Sequence, residues 1–202
     1  MVEHNKVHTK TTTAGLKIQD YVILGADKRA TAGIYIAHKR VEKIQKITDW
    51  AAITISGLVA DAQYLVDQAR AIARYYSLST GIKPSIKAIA SYIANILSTY
   101  SKTIPYIVQL LIGGYDTQPR LYYVDLFGTV SEENYMVTGS GSPIAIGILE
   151  KNYRKDLSVE EAKALVFDAI KAATERDAWS GEGVDIVVIG KNFYSRETIP
   201  FT

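Results

Sequence analysis

The hydrophobic and polar positions along the chain change their period several times, and each period predicts a different kind of element. Residues 12–37 alternate between apolar and polar side chains or form short apolar runs, a pattern typical of strands. Residues 51–56 form another short apolar run that stops at Gly57, which predicts a further strand. The first part of the chain is therefore expected to be largely β-structure.

Two amphipathic helices are predicted next. Apolar residues recur at positions 58, 62, 65, 69, 72 and 76, close to the 3.6-residue period of one helix face. A second series of this kind begins after Pro84-Ser85, and Ser79-Thr80-Gly81 separates the two series. The spacing predicts helices over about residues 58–79 and 85–102 that pack antiparallel through a short connection.

The second half of the chain repeats this order. Residues 106–139 predict a second set of strands, and 107–112 is apolar enough to be buried on both faces. A helix is predicted over 143–153, and Ser158 with Glu161 three residues later forms a capping box for another. A last buried strand is predicted at 184–189. Two strand sets and two helix pairs predict a layered α+β domain with stacked sheets between helices.

Composition narrows the class of protein. The 202 residues are 48% apolar and 22% charged, which fits one globular domain. A net charge of +2 gives no basic footprint for nucleic acid, and the apolar runs are too short to span a membrane. The absence of cysteine excludes disulfides and thiolate zinc sites. No secretory pattern stands at the N-terminus, so we expect a cytoplasmic protein.

Three polar residues stand beside or inside apolar runs and are candidates for chemistry. Thr11 is the first of three consecutive threonines, which on their own indicate only the start of a strand. Asp27 follows one apolar run and Lys43 interrupts another. Because an unpaired buried charge is costly, we expect Asp27 and Lys43 to form a pair.

Conventional catalytic sites are not indicated. His38 is the only histidine outside the first ten residues, and the chain contains no His-Glu-x-x-His segment. His4 and His8 have helical spacing, but nothing around them predicts a stable helix, so no metal site is expected there. No cofactor is predicted.

Six segments together resemble one known family. They are Thr11-Thr12-Thr13-Ala14-Gly15, Asp27-Lys28-Arg29-Ala30-Thr31, the isolated Lys43, Ser56-Gly57-Leu58-Val59-Ala60-Asp61-Ala62-Gln63, Thr138-Gly139-Ser140-Gly141-Ser142 and Arg176-Asp177-Ala178-Trp179-Ser180-Gly181. In this order they resemble the β-subunit of the archaeal 20S proteasome, a threonine protease of the N-terminal-nucleophile class. The resemblance implies a four-layer αββα sandwich over residues 11–202, preceded by a propeptide of residues 1–10.

The resemblance also implies a catalytic set. Thr11 would be the nucleophile, its own α-amine the base, and Asp27 with Lys43 the supporting pair. A hydrogen-bond network around the amine would come from Ser140, Asp177 and Ser180, and the backbone N–H of Gly57 would stabilise the oxyanion. The implied substrate-binding residues are Ala30, Thr31, Val41, Gln45, Ile55 and Val59. The apolar Ile55 at the expected pocket floor favours large apolar side chains, while Glu42 and Asp61 nearby leave basic side chains open.

One residue departs from the family. Lys10 stands where the family usually has Gly, immediately before the bond that must break at the Lys10–Thr11 cleavage site. Glycine reaches positive φ freely, whereas lysine pays about 1–2 kcal/mol there. The chain is therefore expected to be a proteolytic β-subunit, with a structural or unprocessed β-subunit whose Thr11 stays masked as the alternative.

The resemblance implies partners as well. Expected are seven-membered β rings capped by rings of α-subunits, an ATP-dependent unfoldase and unfolded protein substrates. A simpler bacterial relative that forms six-membered rings fits less well, because the chain is longer and carries Arg176-Asp177-x-x-Ser180-Gly181. An unrelated binding module is the remaining, least favoured hypothesis.

Overall fold

Short and mostly buried strands occupy both halves of the chain. The computed structural model describes residues 11–32 and 34–201. The predicted propeptide, with His4, His8 and Lys10, lies outside the described residues. The strands are β1 (Thr12–Lys17), β2 (Tyr21–Asp27), β3 (Ala30–Ala32), β4 (Tyr35–His38), β5 (Ile44–Thr48), β6 (Ala51–Gly57), β7 (Val108–Tyr115), β8 (Pro119–Val124), β9 (Val130–Glu132), β10 (Tyr135–Gly139), β11 (Val184–Gly190) and β12 (Phe193–Ile199).

Residues 11–32 and 34–201 contain four helices, and some of their ends coincide with local sequence signals. They are α1 (Val59–Thr80), α2 (Ile86–Tyr100), α3 (Ser142–Asn152) and α4 (Val159–Thr174). Gly81 ends α1 in the left-handed conformation, at a φ of 75°. The predicted capping box is present, because the Ser158 side chain accepts from Glu161 N while the Glu161 carboxylate accepts from Ser158 N. Helices α1, α2 and α3 lie within one or two residues of their predicted spans, and α4 begins directly after the predicted cap Ser158.

Two five-stranded antiparallel sheets form the centre of the molecule. The first has the strand order β10-β1-β2-β11-β12 and the second the order β5-β6-β7-β8-β9, while β3 and β4 form a separate hairpin. In the first sheet Thr12 pairs with Gly139, and Thr13 pairs with Ala26 on its other side. In the second sheet Gly57 pairs with Val108.

Three apolar clusters hold four layers together. Helices α1 and α2 pack on the outer face of the second sheet, and α3 and α4 pack on the outer face of the first. The third cluster lies between the sheets and combines residues of both, such as Leu24 and Val187 of the first with Ala52 and Leu111 of the second. The predicted α+β fold with an αββα layer order is confirmed.

The strand prediction was wrong or incomplete in three places. Strands β5 and β12 were not predicted. Strand β10 belongs to the first sheet, beside β1, although residues 106–139 were predicted as one set. No helix in residues 11–32 and 34–201 combines the length and the apolar character needed to cross a membrane.

Candidate active site

The predicted catalytic residues lie at or next to the ends of strands, on the side of the two sheets where β1 begins and β2 ends. Thr11 precedes β1, and Asp27 is the last residue of the neighbouring β2. Lys43 immediately precedes β5, and its carbonyl accepts from Ile55 N at 2.8 Å. Ser140 follows β10, whose last residue pairs with Thr12. Residues far apart in sequence are brought together because antiparallel neighbours alternate direction.

The hydroxyl of Thr11 lies between a carboxylate and an ammonium. Thr11 Oγ1 donates to Asp27 Oδ1 at 2.7 Å and accepts from Lys43 Nζ. Lys43 Nζ also donates to Asp27 Oδ1 at 2.7 Å, which closes a triangle of three polar groups. All three residues are buried, with Asp27 0% and Lys43 6% exposed. The predicted Asp27–Lys43 pair is therefore present, and its shared partner is the threonine hydroxyl.

Backbone groups complete the environment of Asp27. Its Oδ1 also accepts from Thr12 N at 3.0 Å, and its Oδ2 accepts from Arg29 N at 3.1 Å and Gly181 N at 2.9 Å. Five donors therefore bond to the two oxygens of this buried carboxylate. Burial lowers the pKa of Lys43 below its ordinary value, and the charge of Asp27 and its hydrogen bond oppose that shift.

A second hydrogen-bond chain leads away from the nitrogen of Thr11. Thr11 N donates to Ser140 Oγ at 3.2 Å, and Ser140 Oγ donates to Asp177 Oδ2 at 2.7 Å. The same carboxylate oxygen accepts from Ser180 Oγ at 2.6 Å. Ser180 Oγ lies 2.7 Å from Thr12 Oγ1, so the Thr12 hydroxyl is the donor to Ser180. The structure thus connects Ser140, Asp177 and Ser180, as the resemblance implies.

Gly57 ends β6 in a conformation that favours glycine. Its φ is 124°, and a Cβ at this position would overlap the carbonyl oxygen of Ile107. The backbone conformation and the close Ile107 carbonyl therefore require glycine here, whether or not a substrate approaches this residue. The next residue, Leu58, donates its N–H to Ile107 O at 2.9 Å.

A cavity of about 450 Å³ lies along β5, β6 and α1, next to the segment that carries Lys43. It contains four of the six predicted substrate-binding residues: Val41, Gln45, Ile55 and Val59. The other two, Ala30 and Thr31, lie in β3 and are not among the residues that line this cavity.

Part of the cavity wall is polar, and its charged side chains are paired. Arg70 Nη2 donates to Gln45 Oε1 at 3.1 Å, and Arg70 Nη1 lies 3.2 Å from Asp67 Oδ1. Glu42 also lines the cavity, and its carboxylate bonds to Arg196 Nη1 at 3.0 Å. The wall therefore combines apolar residues with paired charges.

Sequence reasoning missed several polar groups around the site. The sequence pattern predicts only a strand residue at Thr12, yet its N–H bonds to Asp27 and its hydroxyl to Ser180. Arg29 donates from Nη1 to Ala178 O at 2.8 Å and pairs with Glu182 at 3.1 Å, which holds the turn that carries Asp177. The run of three threonines was the one signal for Thr12. The Arg29 contacts leave no local pattern because their partners are remote in sequence.

The layer order and a threonine hydroxyl at the start of β1 define a class of protein. Two antiparallel sheets between helix pairs, with a polar site where β1 begins, are the α+β sandwich of the N-terminal-nucleophile hydrolases. The model of the family described as "Proteasome subunit" matches residues 7–189.

Curated relatives agree with that family. The chain is 64% identical to "Proteasome subunit beta 2" of Desulfurococcus amylolyticus, over 95% of this chain and 94% of the relative. It is 60% identical to the protein of the same name from Staphylothermus marinus, over 96% and 93%. It is 54% identical to that of Aeropyrum pernix, over 99% and 91%. The chain belongs to the proteasome subunit family, as a β-subunit of the archaeal type.

Proposed function

We propose that this chain is a proteolytic β-subunit of a 20S core particle, an endopeptidase that uses Thr11 as its nucleophile. The observation that carries the proposal is the buried Thr11 hydroxyl, bonded to both Lys43 Nζ and Asp27 Oδ1. A strand threonine needs no such surroundings, and a buried ion pair is weak support for stability alone. The arrangement suits an oxygen that must carry negative charge.

The reaction needs the α-amine of Thr11. While the bond to Lys10 is intact, Thr11 N is an amide and cannot accept a proton. Once residues 1–10 are removed, Thr11 has a free α-amine, a group whose ordinary pKa is about 7.7–8.0, and in its neutral form this amine takes the hydroxyl proton. Oγ1 attacks the substrate carbonyl, and the amine returns the proton to the leaving nitrogen. Water, deprotonated by the amine, then attacks the acyl ester, and Oγ1 leaves with that proton.

The surrounding residues have distinct proposed roles. Lys43 stabilises the attacking oxygen and favours the neutral amine, and Asp27 orients Lys43. Ser140, Asp177 and Ser180 hold the nitrogen of Thr11, and the backbone N–H of Gly57 stabilises the tetrahedral oxyanion.

The 450 Å³ cavity is the proposed site for the side chain before the scissile bond. Val41, Ile55 and Val59 favour large apolar side chains, with Gln45 on the polar wall. Ala30 and Thr31 complete the proposed substrate-binding set from β3. Because Glu42 is paired with Arg196, the cavity wall offers a basic side chain less free negative charge than the sequence indicated.

Assembly is also a proposal. The chain would form seven-membered β rings capped by α-subunit rings in the cytoplasm, with an ATP-dependent unfoldase supplying unfolded proteins. Exposed apolar side chains on α1 support a partner surface there, since Tyr75 is 69% and Leu78 is 76% exposed. The alternative function, a structural subunit with a masked Thr11, is favoured by Lys10 and is decided by the N-terminal residue of the assembled protein.

Three variants test the proposed function in particles whose only possible active subunit is this chain. Thr11→Ala should abolish peptide hydrolysis and leave the fold intact, while Thr11→Ser, which keeps hydroxyl and amine, should retain measurable activity. Lys43→Ala should reduce kcat by at least about 100-fold. Its fold should survive, because Asp27 keeps the donors Thr11 Oγ1, Thr12 N, Arg29 N and Gly181 N. Full activity in Thr11→Ala or Lys43→Ala would refute the assignment.

A further inference from the structure

A second buried ionic cluster lies beside the candidate active site and takes no part in the proposed reaction. Asp185 on β11 is 1% exposed and lies opposite Ala26 of β2. Its carboxylate accepts from Lys28 Nζ at 2.6 Å, Arg196 Nη2 at 2.8 Å and Thr198 Oγ1 at 2.6 Å. A buried carboxylate with two cations is costly to assemble, so the cluster is weak evidence for stability alone.

The cluster reaches both sides of Lys43 through one side chain. Arg196 Nη1 donates to Glu42 Oε2 at 3.0 Å and to the backbone carbonyl of Ile44 at 3.4 Å. Glu42 and Ile44 are the residues immediately before and after Lys43. Arginine suits this task, because its planar guanidinium presents several donors in a rigid fork.

The same cluster is connected to the segment that carries Asp27. Lys28 follows Asp27 in the chain, and its ammonium binds Asp185. The carbonyl of Lys28 accepts from Val41 N at 3.0 Å, so the chain before Lys43 is also bonded to the chain after Asp27. Asp185 therefore connects, through Lys28 and Arg196, the two segments whose side chains meet at the Thr11 hydroxyl.

The exposed part of this cluster adds little to stability. The side chains of Arg196 and Glu42 are 28% and 63% exposed, and ion pairs in such surroundings are worth about 0–1 kcal/mol. The position of the neighbouring Lys43 ammonium matters more than this contribution to stability, because a displacement of about 1 Å can cost about 100-fold in rate.

We propose that Arg196, anchored by Asp185, is a positioning residue that holds the backbone on both sides of Lys43 and so fixes its ammonium beside the Thr11 hydroxyl. This role rests on the proposed function. Arg196 touches neither substrate nor nucleophile, and acts only through the geometry of Lys43.

The role has a signature in the pH dependence of activity. The charged groups that face Lys43 are Asp27 on β2, Asp177 after α4 and Arg29 after β2, and Ser140 connects Asp177 to the nitrogen of Thr11. A nearby Lys43 ammonium lowers the pKa of the Thr11 amine in the processed chain. When Lys43 is displaced, that pKa rises toward its ordinary value, so the acid limb of kcat/KM moves to higher pH.

The experiment compares variants in assembled, processed particles. Arg196→Met should lower kcat about tenfold and move the acid limb to higher pH, with a smaller effect on KM. Glu42→Gln should show a weaker shift, because the bond from Arg196 to Ile44 O remains, and Arg196→Lys should restore part of the loss. The matched control is Arg120→Met, whose side chain is 27% exposed and pairs with Glu132 at the other end of the sheets. Arg120→Met should lose about as much folding stability as Arg196→Met, but the acid limb of its kcat/KM profile should not move.

Two results would overturn the proposal. One is an Arg196→Met pH profile that coincides with that of Arg120→Met. The other is a crystal structure of Arg196→Met in which Lys43 Nζ keeps its bonds to Thr11 and Asp27, and this readout does not depend on activity. Thr11→Ala is measured in parallel. If parent and Thr11→Ala are equally inactive, the proposed function fails, and the crystal structure still decides the role of Arg196.

Discussion

At the scale of single residues, Lys43 holds a charge where water has little access. Its side chain is 7% exposed, and its ammonium bonds to Asp27 and to Thr11 Oγ1. Burial disfavours the charged form and lowers the pKa, while Asp27 opposes this effect. Asp27 therefore offsets part of the effect of burial, and Lys43 loses its charge at lower pH than an exposed lysine does.

This balance predicts the alkaline limb of activity. The proposed chemistry needs charged Lys43, and a lysine is charged below its pKa, so activity should fall as pH rises through that lowered value. We expect the alkaline limb of kcat to lie below the ordinary lysine pKa of about 10.4. The measurement is kcat against pH in processed particles, with unfolding followed at each pH as a control. A limb at or above the ordinary value, with the fold intact, would contradict the role given to Lys43.

The identity of the site residues was predicted better than their contacts. The resemblance selected Thr11, Asp27, Lys43, Ser140 and Asp177, and the structure brings these together, although their roles stay predictions. The residues themselves indicated only that Asp27 and Lys43 should pair. Bonds across 129 positions, such as Thr11 N to Ser140 Oγ, leave no trace in local periodicity.

At the scale of elements, the helices were predictable and two strands were not. Helix α2 has a clear apolar stripe, whereas β5 has few apolar residues and these point to different clusters, Ile44 between the sheets and Ile47 toward α1. A register irregularity between Lys46 and Thr48 further disturbs its alternation. Strand β12 is a charged edge strand with little buried surface. Because β12 was not predicted, the sequence also gave no indication that Arg196 contacts the residues around Lys43.

A third case is β10, which was assigned to the wrong set of strands. Its length and apolar character were visible in the sequence, but its partner was not. Gly139 pairs with Thr12, which lies in the first strand of the chain. A short apolar run predicts a strand, but the sheet to which the strand belongs depends on contacts with residues remote in sequence.

The two sheets are also joined by an ionic cluster at the edge opposite the candidate active site. Glu132 of β9 accepts from Lys17 Nζ of β1 at 3.0 Å, from Arg120 Nη1 of β8 at 3.0 Å and from Tyr122 Oη at 3.1 Å. Burial opposes ionisation, but the bonds from Lys17 and Arg120 outweigh it and lower the pKa of Glu132 to about 2. The carboxylate therefore connects the first sheet to the second.

The sign of the resulting pH effect follows from that lowered pKa. A carboxylate with a depressed folded pKa contributes stability above its unfolded pKa of about 4.3, and loses the contribution as pH falls toward 2. The Glu132 side chain is 34% exposed, so solvent screens the interaction. We expect Glu132→Gln to lower the free energy of unfolding at pH 7 by about 1 kcal/mol.

Denaturant unfolding from pH 7 to pH 2 measures this prediction. The difference between parent and Glu132→Gln should shrink over the range from about 4.3 to 2, where the parent becomes protonated. Glu160→Gln is the control, since that side chain is 82% exposed and bonds only to Lys163 among its described contacts. A difference that stays constant down to the lowest pH would show that charge is not the cause.

At the scale of the whole molecule, the four layers bring the proposed nucleophile, Thr11, together with Asp27 and Lys43. Thr11 is 2% exposed, and its hydroxyl already bonds to Asp27 and Lys43 with residues 1–10 still in the sequence. For the proposed self-cleavage, we therefore expect the conformation of the attacked bond to be the remaining barrier. That bond follows Lys10, whose side chain disfavours the positive φ that glycine reaches freely.

The last prediction concerns this barrier. For Thr11 Oγ1 to attack the carbonyl of Lys10, the peptide must bend tightly, and the strain of about 1–2 kcal/mol for a residue with a side chain corresponds to roughly tenfold in rate. We expect the parent chain, alone or with α-subunits, to keep residues 1–10 about ten times longer than Lys10→Gly. Activity should appear in step with loss of the tail, because only the cleaved chain has a free amine. An active partner β-subunit that cuts in trans would shorten the delay.

Intact-mass time courses measure both rates, with Lys6→Gly as a control that changes a lysine away from the cut. If parent and Lys10→Gly shed the tail equally fast, residue 10 does not limit maturation.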